Sequence, residues 1–158
     1  MKVIQTTLDY KEYLSIKSIT DDKGLEKPGI YKIKLNDSSH KNGIQRLEGT
    51  DNECLLYIGM SKNLRTRIND FWDSWQKGIG KHGGGDRLFQ QMLSDFIYPE
   101  SSVSFLIAIT NTREQAEEYE ACELVKYFNK HKELPPLNAT SPTKFFNILS
   151  ERYITAHS

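Results

Sequence analysis

PGIYKIKL at residues 28–35 and LLYIGMSKNLRTR at residues 55–67 decide the fold. In the first stretch Pro28 and Gly29 break whatever precedes them. Tyr31, Ile33 and Leu35 then alternate with Ile30, Lys32 and Lys34, the two-residue period of a strand with one partly wet face. In the second, residues 53–59 read as another strand, with Leu55 and Tyr57 on one face and Leu56 and Ile58 on the other. The two are expected to pair antiparallel. Each carries a tyrosine near a glycine, and a basic segment follows the second.

That segment reads as a helix over 62–75 capped by Ser61, its core stripe being Leu64, Ile68, Phe71, Trp72 and Trp75. Arg67 falls inside the stripe, where a charge is costly without a partner or a task. Between the strands, residues 36–52 are polar and rich in turn formers, with Asn42-Gly43 as a hairpin signal and a short extended piece at 44–47. After the helix, GKHGGGDRLFQQML breaks at its glycines and restarts near Asp86. Residues 102–110 suit a central strand, and Asn111-Thr112 caps a long helix over 113–130. ELPPLN stops that helix, and a closing helix is expected from a cap near Ser141. Upstream, residues 7–17 show a weak helical pattern.

The sum is one α+β domain over residues 1–158, of the broad α/β kind. A small antiparallel sheet of three or more strands is flanked by helices, with a core at about 28–140 and a helical extension at each end. Two cysteines, Cys54 and Cys122, are too few for a disulfide framework and lack the spacing of a zinc site. No apolar run suggests a signal peptide or a membrane span, so a cytoplasmic protein without membrane contact is expected. The formal net charge is zero, which argues against coating nucleic acid through bulk electrostatics. Charge is unevenly placed, however. Lys62, Arg65, Arg67, Lys77, Lys81 and Arg87 outnumber Asp70, Asp73 and Asp86 over residues 60–90, and five glutamates face one arginine over 113–123.

Gly29-Ile30-Tyr31, then Tyr57-Ile58-Gly59, then Arg67 eight residues further on make the chain similar to the GIY-YIG nuclease superfamily. SKNLRTR is close to a segment of that superfamily's excision-repair branch, and KHGGGDRLFQQML is similar to its homing-endonuclease branch, which singles out His82. The resemblance covers about residues 28–140. Four departures accompany it: a long insertion at 36–52, Met60 where some members have lysine, Phe71 where others have tyrosine or histidine, and one extra residue between Glu120 and Leu124-Val125. It implies a GIY-YIG-type sheet and a DNA endonuclease that uses one Mg²⁺ or Mn²⁺ ion.

By that resemblance the catalytic set is Tyr31, Tyr57, Arg67 and Glu120, with Glu120 as the metal ligand and Glu117 and Glu123 as its rivals. On a helical wheel Glu120 lies at the edge of the stripe Ala121, Leu124, Val125 and Phe128, Glu117 nearer its centre and Glu123 almost opposite. Lys62, Arg65, Lys81, His82, Arg87 and Asn138 are the candidate DNA contacts, and Asn138 serves equally well as a brace of the PPLN turn. Phosphodiester hydrolysis needs a group to orient or deprotonate water, a fixed cation on the phosphate and a metal on the leaving oxygen. The set supplies all three. A homodimer or a separate specificity subunit would suit cleavage of both strands. The alternative is a catalytically inactive nuclease-like module that binds nucleic acid or a protein partner.

Overall fold

The computed structural model describes residues 8–36, 43–93, 103–139, 145–148 and 151. Four strands, β1 (Lys11–Tyr13), β2 (Gly29–Leu35), β5 (Leu55–Ser61) and β6 (Val103–Ile109), form one antiparallel sheet in the order β1-β6-β2-β5. The strand that begins with GIY is therefore interior, and the YIG strand lies next to it at the edge. Two residues each of β3 (Ile44–Gln45) and β4 (Thr50–Asp51) make a separate hairpin inside the insertion. That hairpin is moored to the segment just after His131 by an Arg46–Glu133 ion pair at 3.0 Å and a Leu47 N–H bond to Glu133 at 2.9 Å.

Helices cover both faces. On one, Tyr31, Ile33, Leu35, Phe105 and Ile107 pack against Leu64, Ile68, Phe71 and Trp75 of α2 (Leu64–Lys77) and Leu88 of α3 (Gly83–Leu93), all buried. On the other, Leu55 and Ile58 pack against Leu124, Val125 and Tyr127 of α4 (Arg113–His131). Each large apolar side chain so buried stabilises the fold by roughly 1.5–3 kcal/mol. Gly29 sets how closely α2 approaches. A Cβ there would stand 2.3 Å from the Ala108 carbonyl oxygen and 2.7 Å from Leu64 Cδ1, so only glycine lets the first turn of α2 rest on the start of β2. No helix among the described residues is long and apolar enough to cross a membrane.

Several expectations change. Among the described residues the pattern at 7–17 is not one helix: Lys11–Tyr13 pair with Ile107–Phe105, and only Ile16 and Lys17 are helical, at the start of α1 (Ile16–Thr20), which begins after its cap, Ser15. The apolar outer edge of β6 gains more from a strand partner than the weak periodicity offers a helix. Leu14 consequently points outward, 66% exposed. The faces of β5 also differ from strict alternation. The register between β2 and β5 slips after Ile33/Tyr57, where Lys34 faces Leu55 and one extra residue bulges. Leu56 and Tyr57 thus share one core while Leu55 and Ile58 share the other. Asn63, not Ser61, caps α2, its side chain accepting from Thr66 N–H at 3.1 Å, while Ser61 braces Asn63. α3 starts at Gly83, three residues before Asp86. The expected cap at Ser141 lies outside the described residues.

Candidate active site

Tyr31 and Gly59 face each other across the β2–β5 pair. A Cβ at Gly59 would lie 2.6 Å from Tyr31 Cζ and Oη and 2.6 Å from Tyr57 Cε1. Its absence is what allows the two rings to stack over it, centroids 5.8 Å apart and planes 29° from parallel. The two triplets are thereby one packing unit. Tyr31 is wholly buried, whereas Tyr57 keeps partial access to solvent. Only Tyr57 of the pair can meet a substrate directly.

His82 completes the unit from below. Its side chain is 1% exposed and meets Phe71 edge-on at 5.3 Å, beside the position where the sequence lacked the tyrosine or histidine of the resemblance. Nδ1 accepts backbone N–H groups from Gly84 at 3.1 Å and Gly85 at 3.3 Å, so the ring proton resides on Nε2. Nε2 stands 2.7 Å from Tyr31 Oη and donates to it. Burial, reinforced by the Arg67 charge, holds the imidazole down at about 3, neutral at any ordinary pH. The Tyr31 hydroxyl in turn bonds to that of Tyr57. Main chain, His82, Tyr31 and Tyr57 form a line of hydrogen bonds ending at the one accessible phenol.

Two charged side chains act on this phenol through their fields, one from a helix on each face of the sheet. Arg67 leaves α2 half-buried and donates from Nη1 to the Lys81 carbonyl at 3.0 Å, which fixes the guanidinium on the side of the tyrosines. Glu120 comes from α4 on the opposite face and accepts a hydrogen bond from Met60 N–H, one residue past Gly59. Burial raises the Glu120 carboxyl to about 7, Glu117 adding to the rise and Arg67 opposing it. Burial also raises both phenols, with the Glu120 charge next for Tyr57 and the Arg67 charge opposing in each. Tyr31, Tyr57, Arg67 and Glu120 therefore share one electrostatic neighbourhood.

The rival glutamates are engaged elsewhere. Glu123, expected almost opposite the stripe, instead faces the sheet and pairs with Lys32 at 2.7 Å and Lys126 at 3.2 Å. The reason is Lys32 itself, a charge on the inner strand that draws a carboxylate into the helix's contact face. Glu117 pairs with Arg113 at 3.2 Å. Among the described residues no group of three or more His, Cys, Asp or Glu converges as a metal cage. A lone, half-buried carboxylate raised by its surroundings fits a hard divalent ion that keeps several waters. Glu120 would hold it.

The remaining sequence candidates divide. Lys62 and Lys81 are exposed, Lys81 loosely paired with Asp73 at 3.4 Å. Arg65 turns away to Thr20 and Glu26, 2.7 Å from the carboxylate. Arg87 donates to the Leu137 carbonyl and so pins the PPLN loop. Asn138 pairs with both backbone groups of Ile58, at 3.0 and 2.9 Å, and Leu137 N–H bonds to Leu56 O at 2.9 Å. With Glu120 at Met60, every second residue of the outer edge of β5 has a partner. Asn138→Ala should cost about 1–2 kcal/mol by stripping Ile58 of its partners, seen as a lower denaturant midpoint at unchanged slope. The bond between His82 and Tyr31 is not legible in the sequence, because nothing in it links positions 51 residues apart.

No model of a known family, no curated protein and no solved structure matches this chain.

Proposed function

We propose that the protein is a divalent-metal-dependent DNA endonuclease of the GIY-YIG kind. The observation that carries this reading is the hydrogen-bond line ending at Tyr57, with a fixed arginine and a raised carboxylate on either side. A structural role alone gives no reason to aim a buried histidine and tyrosine at a third, partly open phenol. With Tyr57 ionised, its proton having gone to solvent, water attacks phosphorus in line, the water's proton passes to the phenolate Oη, and the opposite P–O ester bond breaks, the departing alkoxide taking a proton from solvent. A bound Mg²⁺ or Mn²⁺ supplies Lewis-acid stabilisation of the leaving oxygen. Arg67 stabilises the charge that grows on the non-bridging oxygens. Burial and then the Glu120 charge hold the Tyr57 phenol above its ordinary value, and the Arg67 charge and the bond donated by Tyr31 oppose that rise, so both ease formation of the phenolate the step needs. Tyr31 and His82 are then positioning residues.

Incubation with supercoiled plasmid in Mg²⁺, against EDTA and against Arg67→Ala, tests the reading. Metal-dependent nicking lost in the variant supports it. Binding of DNA without nicking would favour the inactive-module alternative. The tyrosines should separate quantitatively. Tyr57→Phe should lower the cleavage rate on the order of a thousandfold, the scale of a positioned acid–base group. Tyr31→Phe should lose less and move the rising limb of the rate profile to higher pH, because Tyr57 loses the donor that eases its ionisation. Single-turnover rates from about pH 8 to about 12, a span of about two units on either side of the unperturbed phenol value of about 10, would show this.

A further inference from the structure

Nine of the ten glycines have a reason inside the chain: a positive φ, or a described neighbour within 3.0 Å of where a Cβ would stand. Gly83 has neither, and no described atom lies within 4 Å of its would-be Cβ. It is exposed, at the first position of α3, where alanine would favour the helix more. Its neighbours all belong to the site. Lys81, two residues before, holds Arg67; His82 holds Tyr31; and a Cβ on Gly84 would stand 3.0 Å from Tyr57 Cδ2.

We propose that Gly83 is where the sugar-phosphate backbone of the DNA comes to rest against the main chain. The inference rests on the nuclease reading and adds a contact to it. Arg67 and Tyr57 are both recessed, and Tyr31 is entirely covered. A phosphate must therefore descend to the level of the backbone before it can reach the guanidinium and the phenol. A side chain at the rim would hold it off by about the radius of a methyl group or more, and a small misplacement of the reacting phosphate is enough to slow the chemistry strongly. A glycine that serves contact with a ligand has no counterpart inside the fold, which is what Gly83 shows. The contact is with the backbone, so it positions the DNA without reading its sequence.

Gly83→Ala and Gly83→Leu in the full chain test this through two quantities that should move in opposite directions. The thermal midpoint of Gly83→Ala should stay level or rise, because an exposed helical glycine replaced by alanine loses only unfolded-state freedom. Affinity for a duplex oligonucleotide in Ca²⁺ should fall, modestly for alanine and by about tenfold, equivalent to about 1.4 kcal/mol, for leucine. Single-turnover cleavage in Mg²⁺ should fall at least as far. The loss should be alike for unrelated DNA sequences. Leucine binding and cutting like the parent would overturn the contact while leaving the nuclease reading intact. A sharply lowered midpoint in the alanine variant would overturn it too, by giving Gly83 a structural reason. A parent protein that neither binds nor cuts DNA would instead remove the reading beneath it.

Discussion

Arg67→Ala is expected to bind DNA almost as well as the parent and to cut it slower by a factor on the order of a hundred or more. The guanidinium is already anchored, Nη1 on the Lys81 carbonyl at 3.0 Å, so it need not reorganise when charge develops on the phosphate. On the proposed reading, ground-state affinity is expected to rest instead on exposed cations such as Lys62 and Lys81, each neutralisation of which should reduce the salt slope of binding by about one unit. Titration of duplex DNA in Ca²⁺ gives the first quantity and single-turnover cleavage in Mg²⁺ the second. Arg67→Lys should recover only part of the rate, since a point charge lacks the planar fork that meets two oxygens at once. Equal losses in binding and in cleavage would make Arg67 a phosphate anchor, and its role in the transition state would have to be abandoned.

The strands that carry the two motifs were legible because local pattern and tertiary demand agree there. Gly29–Leu35 matches its expected bounds, and the alternation Tyr31, Ile33, Leu35 is the face that packs on α2. β5 was displaced by two residues and its first faces exchanged, because a bulge depends on which residue the partner strand presents and not on the strand itself. The sequence of segment 11–13 suggests a helix for a similar reason: its strand depends on β6 offering an edge to pair with. Arg67 within an apolar stripe was a signal visible in the sequence, and it ends beside the tyrosines. The separation of Glu120 from Glu117 and Glu123 was not. Three glutamates on one helix differ only through what lies opposite them, here Met60 N–H, Arg113 and Lys32.

Glu120→Gln should abolish cleavage and, at the same time, make the metal-free protein more stable above neutral pH. The amide keeps the shape and can still accept from Met60 N–H, but it carries no charge to hold a divalent ion. The stability change follows from linkage. In the unfolded chain the carboxyl ionises near its ordinary value of 4.5, while in the folded protein burial keeps it protonated up to about 7. Between those values the folded state binds more protons than the unfolded state, so the contribution of this group to stability is full below about 4.5 and is lost as pH rises through about 7. Glutamine has no such loss. The midpoint of the variant should therefore draw ahead of the parent's as pH climbs through this window and stay ahead beyond it. Only the difference between the two proteins isolates the effect, because His82 has the opposite slope: it stays neutral in the fold down to about 3, so its contribution is lost on acidification. Added Mg²⁺ should then raise the midpoint of the parent and leave the variant where it was, since a ligand of the folded state stabilises by mass action. A Glu120→Gln protein that still cuts DNA, with loss of cleavage in Glu117→Gln or Glu123→Gln, would move the metal to another carboxylate and leave the raised Glu120 without a task in the chemistry.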